Sequence, residues 1–192
     1  MPKIGNPPQQ LPSLPGAETE ANAIAQLFNT QAILGKNATK AAFKEHLPQA
    51  KIIHLATHGL LDEVRRFDIP GAVALAPSGD DDGLLTSGEI LDLKLNAELV
   101  VLSACDTGRG DIKGDGVIGL SRSFITAGTP SVLVSLWSVP DSPTASLMTE
   151  FYRQIQQKLD KAQGLRQAML KTLKEYPNPK DWAAFTLIGE AE

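Results

Sequence analysis

Three apolar runs without polar alternation constrain this chain most: Ile52-Ile53-His54-Leu55-Ala56, Leu99-Val100-Val101-Leu102-Ser103 and Ser131-Val132-Leu133-Val134-Ser135-Leu136-Trp137. A strand with one wet face alternates apolar and polar residues, whereas a near-continuous run of β-formers must be covered on both faces. Helical signals fill the intervals. Ala21, Ile24, Ala25, Leu27 and Phe28 follow helical spacing behind Glu18 and Glu20, predicting a helix over Ala17–Phe28. Asn37 or Thr39 can cap a helix through Leu47 that Pro48 stops, and Thr86-Ser87-Gly88-Glu89 has capping-box spacing before a short helix to Asp92. Val117, Leu120, Ser121 and Phe124 share a helix face that ends at Gly128 and Pro130. Asp141-Ser142-Pro143 opens a helix with the stripe Leu147, Met148, Phe151, Tyr152, Ile155 and Leu159, and a further helix spans about Gln163–Tyr176. Short strands are expected at Ala32–Leu34, Ala72–Ala76 and Trp182–Ile188. Strands alternating with helices predict an α/β fold, a mainly parallel sheet flanked by helices, with ligands beyond the carboxyl ends of the strands.

A chain of 192 residues with 42% hydrophobic content suits one core. Residues 1–16, rich in Pro and Gln, read as a loosely held extended segment, and 17–192 as the domain. The net charge of −4 is built from interspersed signs, which argues against a nucleic-acid face or a basic membrane patch. No run approaches the roughly 18 apolar residues of a membrane span and no signal core opens the chain, so a cytoplasmic location is expected. Leu60–Phe67 and the glycine-rich Asp106–Gly116 read as loops.

Two of the strong runs end in reactive side chains. His58 follows the first and Cys105, the only thiol, follows the second. A lone cysteine forms no internal disulfide; without context it is a small buried hydrophobe, and with a histidine elsewhere it is a candidate nucleophile. Their separation, 105 − 58 = 47 residues, is close to the roughly 50 residues between the caspase histidine and cysteine.

The segments Leu55-Ala56-Thr57-His58-Gly59, Leu102-Ser103-Ala104-Cys105-Asp106-Thr107-Gly108, Gly116-Val117-Ile118-Gly119-Leu120-Ser121-Arg122, Ser135-Leu136-Trp137-Ser138-Val139-Pro140-Asp141 and Trp182-Ala183-Ala184-Phe185 stand in one order along the chain. In these motifs the chain resembles the CHAT domain, a caspase-like cysteine peptidase family often found beside tetratricopeptide repeats. The resemblance implies a caspase-like three-layer sandwich, here short of its first N-terminal strands, with an exposed sheet edge through which a second copy could pair. It implies a Cys105 nucleophile, a His58 base and an oxyanion hole from the N–H groups of Gly59 and Cys105. It further implies a cleft wall at Ser135 and Trp137 that pairs with an extended polypeptide substrate. Asp106 and Asp141 are candidates for reading a basic residue before the scissile bond, although helix capping explains Asp141 equally well. A repeat domain is the expected regulatory partner, and no cofactor or metal is expected. The expectation from another class is a catalytically silent CHAT module that acts by binding proteins.

Other readings are weaker. His54 is read as structural, and His54, His58 and Cys105 lack the paired ligands of a zinc site. Asp80-Asp81-Asp82 lacks the alternating ligands of a calcium loop and reads as a solvated turn. Gly114-Asp115-Gly116-Val117-Ile118-Gly119 matches the dinucleotide fingerprint, but its first glycine lies 114 − 102 = 12 residues beyond Leu102 instead of ending the strand. Arg109 and Lys113 are candidate self-cleavage positions in the loop after Cys105.

Overall fold

The computed structural model describes residues 1–4, 9–60, 71–103, 105–106 and 114–192, with residues 4, 9, 105, 106 and 114–117 described by their backbone alone. All four residues of β7 (Leu99–Leu102) are buried. β3 (Ile52–Leu55) and β9 (Ser131–Ser135) flank it in parallel, and β10 (Phe185–Gly189) adds an antiparallel edge beyond β9. The pleat sends alternate residues of each strand to opposite faces. Leu99 and Val101 therefore join Leu133, Ile24, Leu147, Phe151 and Leu165 in one apolar cluster. Val100 and Leu102 join Ile53, Val132, Ile90 and Phe124 in another. Three helices cover the first face: α1 (Pro15–Leu27), α5 (Asp141–Gln156) and α6 (Lys161–Glu175). On the second face lie α2 (Lys40–His46), α3 (Ser87–Leu91) and α4 (Gly114–Thr126). Each large apolar side chain buried this way contributes about 1.5–3 kcal/mol, so the two clusters supply the main drive to fold.

Beyond the carboxyl ends of β3 and β7 the same chain paths resume. After two-residue interruptions come β4 (His58–Leu60) and β8 (Cys105–Asp106), paired in parallel with each other. β5 (Ala72–Ala74) and β6 (Leu84–Thr86) extend this second sheet in the order β6-β5-β4-β8. One register runs through both pairs: Ile52 faces Leu99 and His58 faces Cys105, each 47 residues apart (99 − 52 and 105 − 58). At the N-terminus β1 (Lys3–Ile4) pairs antiparallel with β2 (Gln9–Gln10).

The helix signals hold with small shifts at the ends. Thr39, not Asn37, caps α2 by accepting the N–H of Ala42 at 3.1 Å, and residues 47–49 continue as a single 3-10 turn around Pro48. The capping box is complete, with Thr86 Oγ1 accepting from Glu89 N and Glu89 Oε2 from Thr86 N. Gly128 follows α4 at φ +117°, where a Cβ would meet the Leu95 carbonyl at 2.7 Å, so glycine is required there. The expected strand at Ala32–Leu34 does not form: the segment joins no sheet and Ile33 is 42% exposed. β-forming side chains make a strand only where a neighbouring backbone completes the ladder. The closing strand begins at Phe185, later than Trp182, because Asn178 and Pro179 start a 3-10 turn over residues 179–181.

One buried cation fastens α2 to the turn before β6. Lys40, 9% exposed, places Nζ 3.0 Å from Glu89 Oε1 and 3.1 Å from Asp81 Oδ2, and donates to the Leu84 carbonyl at 3.2 Å. Burial opposes the lysine's charge, but hydrogen bonds to Glu89 and Asp81 outweigh it and raise Lys40 above its ordinary 10.5. Burial likewise opposes the two carboxylates. The Gly83 N–H and Lys40 nonetheless hold Asp81 below 3.8, and the Thr86 N–H and Lys40 hold Glu89 below 4.5. The carboxylates' contribution is complete above their unfolded values and lost as pH falls through the lower folded ones; that of Lys40 is lost only above 10.5. Lys40→Met should lower unfolding free energy at pH 7 by about 1–3 kcal/mol. Its deficit relative to the parent should shrink below about pH 4, which urea titrations at pH 7 and pH 3 measure.

Candidate functional site

His58 and Cys105 stand opposite each other in the β4–β8 ladder. Adjacent strands lie about 4.8 Å apart, so this register sets the two backbones as close as a pleated pair allows. Gly59 is flanked on both sides, by Val73 of β5 and Asp106 of β8. Thr57, in the interruption before His58, donates its hydroxyl to the Ala74 carbonyl and ties that bend to β5. Ser103, in the matching interruption before Cys105, is 6% exposed, and its hydroxyl has no hydrogen-bond partner among the described residues.

The imidazole of His58 is fully buried. Its Nε2 lies 2.8 Å from the carbonyl oxygen of Pro12. A carbonyl only accepts, so Nε2 carries the hydrogen and neutral His58 has a bare Nδ1. That Nδ1 is buried and has no hydrogen-bond partner among the described residues. Residues 9–12 thus do not hang free, as composition predicts for them. Leu11 is 6% exposed, packs in one cluster with Leu60, Ala72 and Ala74, and donates its N–H to the Pro2 carbonyl at 3.0 Å. Sequence reasoning missed Pro12 because a backbone carbonyl acts through position, whatever its side chain. The one available signal was Leu11, an apolar residue among prolines and glutamines.

His54, in the same strand run, has a polar group beside each ring nitrogen. Nδ1 lies 3.1 Å from the Tyr152 hydroxyl, and Nε2 lies 3.0 Å from Glu20 Oε1, within ion-pair distance but off the hydrogen-bond direction. Glu20 is 2% exposed and Tyr152 is fully buried. Burial, and then the Glu20 carboxylate, push the Tyr152 hydroxyl well above its ordinary 10.0, so it stays protonated and can donate. This network joins α1, β3 and α5, in keeping with the structural reading of His54.

The remaining candidates are spread along the carboxyl edge of the sheet. Ser135 ends β9 opposite Phe185 and is half-buried. Trp137 lies two residues beyond, donating Nε1–H to the Lys180 carbonyl at 2.9 Å. With Ser138, Pro140, Pro179 and Lys180 it lines an open groove of about 590 Å³. Asp141 begins α5, and its Oδ2 accepts the N–H of Gly16 at 3.1 Å. Asp106 is placed by its backbone in β8, beside Gly59. Residues 107–113, with Arg109 and Lys113, lie outside the described residues. Among the described residues no group of three or more His, Cys, Asp or Glu side chains is arranged to hold a metal ion, and no helix is long and apolar enough to cross a membrane.

A family model for the CHAT domain matches residues 4–190. Tetratricopeptide repeat protein 28 of Mus musculus is 31% identical over 229 aligned residues, which span 97% of this chain. The protein of the same name from Homo sapiens is also 31% identical over 97% of the chain. In both comparisons the match spans 9% of the relative's own length.

The His54 network predicts a stability effect separate from the site. Tyr152→Phe leaves His54 Nδ1 buried without its partner and should cost about 1–3 kcal/mol in denaturant titration, with the alkylation rate of Cys105 unchanged.

Proposed function

The chain belongs to the CHAT domain family, and we propose that it is a caspase-like cysteine endopeptidase working through Cys105 and His58. The observation that carries this reading is the His58–Cys105 register, together with a buried His58 whose Nε2 is committed to Pro12 and whose Nδ1 is bare. With Nε2 held by the Pro12 carbonyl, Nδ1 is the nitrogen left to act as a base.

In the proposed cycle His58 Nδ1 takes the Cys105 proton, and the Sγ electron pair forms a bond to the scissile carbonyl carbon. The carbonyl oxygen becomes an oxyanion, received by the N–H groups of Cys105 and Gly59. Collapse breaks the C–N bond, and the imidazolium returns its proton to the leaving amine, giving a thioester. Water then attacks that carbon while His58 takes its proton; the C–S bond breaks, and the thiolate recovers the proton. The Pro12 carbonyl maintains the Nε2–H tautomer and stabilises the imidazolium formed twice in each cycle.

An extended substrate would lie along Ser135 and Trp137 at the end of β9, adding a strand to the sheet. A basic residue before the scissile bond is read by Asp106 in preference to Asp141, because Asp141 already accepts the Gly16 N–H. The named relatives are tetratricopeptide repeat proteins, and such a repeat is the proposed regulatory partner. The complete burial of His58 favours a second reading, a silent module that binds a partner through this fold.

Fluorogenic peptides with Arg, Lys, Ala or Asp before the scissile bond separate the two. The expected result is turnover of the Arg and Lys peptides, at least about tenfold above Ala in kcat/KM. Cys105→Ala and His58→Ala should abolish it, and Cys105 should alkylate with iodoacetamide faster in native than in denatured protein. Absence of both turnover and enhanced labelling, with a partner complex unaffected by Cys105→Ala, would instead establish the binding module.

A further inference from the structure

Asp141 makes a contact that its own helix does not need. It is an exposed residue in the first turn of α5, and its Oδ2 accepts the N–H of Gly16, 125 residues away in sequence. Gly16 is the second residue of α1, so its N–H has no acceptor within that helix, and Leu14 at the N-cap provides none. The Asp141 side chain lies so close against Gly16 that a Cβ on Gly16 would be 2.1 Å from the Cβ of Asp141. The positive ends of a 13-residue and a 16-residue helix thus converge on one carboxylate. Without that charge the two ends would repel each other.

Only residues 13–15 separate Pro12 from Gly16. Pro12 and Pro15 fix their own φ angles, and each restricts the residue before it, so this link transmits position with little slack. The other side of Pro12 is pinned by Leu11, through its burial and its hydrogen bond to Pro2. The carbonyl that holds His58 Nε2 therefore sits on a short strap with two anchors, one in the β4–β5 cluster and one at Asp141.

We propose that Asp141 is a positioning residue for His58: by holding Gly16 it fixes the strap, and through the Pro12 carbonyl it sets the tautomer and orientation of the imidazole. This inference rests on the reading of His58 as the base for Cys105. It assigns Asp141 to the protein's own N-terminal segment and not to a substrate side chain.

The test follows the His58 ring nitrogens by nitrogen-15 NMR across pH and, in parallel, the pH profile of Cys105 alkylation. Both are measured on the whole chain as parent, Asp141→Ala and Asp141→Asn, with thermal melts to monitor folding. In the parent the Nε2–H tautomer should dominate. Asp141→Ala should mix the tautomers, displace the alkylation profile along the pH axis and slow alkylation at pH 7 about fivefold, the scale of a lost helix cap. Asp141→Asn retains an oxygen for Gly16 and should restore most of the parent behaviour. If Asp141→Ala does not fold, Asp141→Leu, which keeps bulk beside Gly16 but offers its N–H no acceptor, carries the same expectation. A parent-like His58 spectrum and alkylation profile in the folded variant would overturn the proposal. Parent Cys105 alkylating no faster than in His58→Ala would remove the dyad instead, leaving the His58 spectra to decide the strap.

Discussion

Burial of β7 on both faces is the constraint on which the remaining structure depends. A strand carrying Leu99, Val100, Val101 and Leu102, each at most 5% exposed, cannot stand at an edge or face water on either side. It needs a strand to each side, supplied by β3 and β9, and a helical layer above and below. Because the pleat divides its residues between the two clusters, the layers are coupled through one backbone, and disturbing either face disturbs the other. Parallel pairing also brings the carboxyl ends of β3, β7 and β9 to one side, where His58, Cys105 and Trp137 follow.

The two histidines of the first strand run show how one local sequence supports different chemistry. His54 is enclosed by Tyr152 and Glu20 from two helices. Beyond the interruption at Ala56 and Thr57, His58 meets the N-terminal strap, which presents a single carbonyl. The low dielectric of its buried setting strengthens that one hydrogen bond, and the same setting makes a bare Nδ1 costly.

The carboxylates are likewise assigned by their surroundings. Glu89 closes its own helix cap and then meets Lys40, so a single side chain terminates α3 and fastens α2. Asp141 lies within a motif that resembles a cleft-lining segment, yet its observed partner is the start of α1. Charges that look interchangeable in composition are divided between architecture and the site by what the tertiary structure brings to them.

The sequence by itself determined the layered α/β architecture, since near-continuous apolar runs require two-sided cover and helical periodicity identifies what provides it. It also determined the capping box at Thr86, the stop at Gly128 and the ends of the strands at which reactive residues stand, because caps, turns and periodicity are local. The 47-residue interval proved to be a strand register that continues from Ile52–Leu99 to His58–Cys105, a link that spacing suggests and only paired backbones establish. The absence of a strand at Ala32–Leu34, the closure of residues 9–12 over β4 and the choice of Pro12 and Asp141 as anchors were decided by tertiary structure alone. Each depends on a backbone group meeting a partner far away in the chain, and a backbone carbonyl or N–H leaves no mark in the order of side chains.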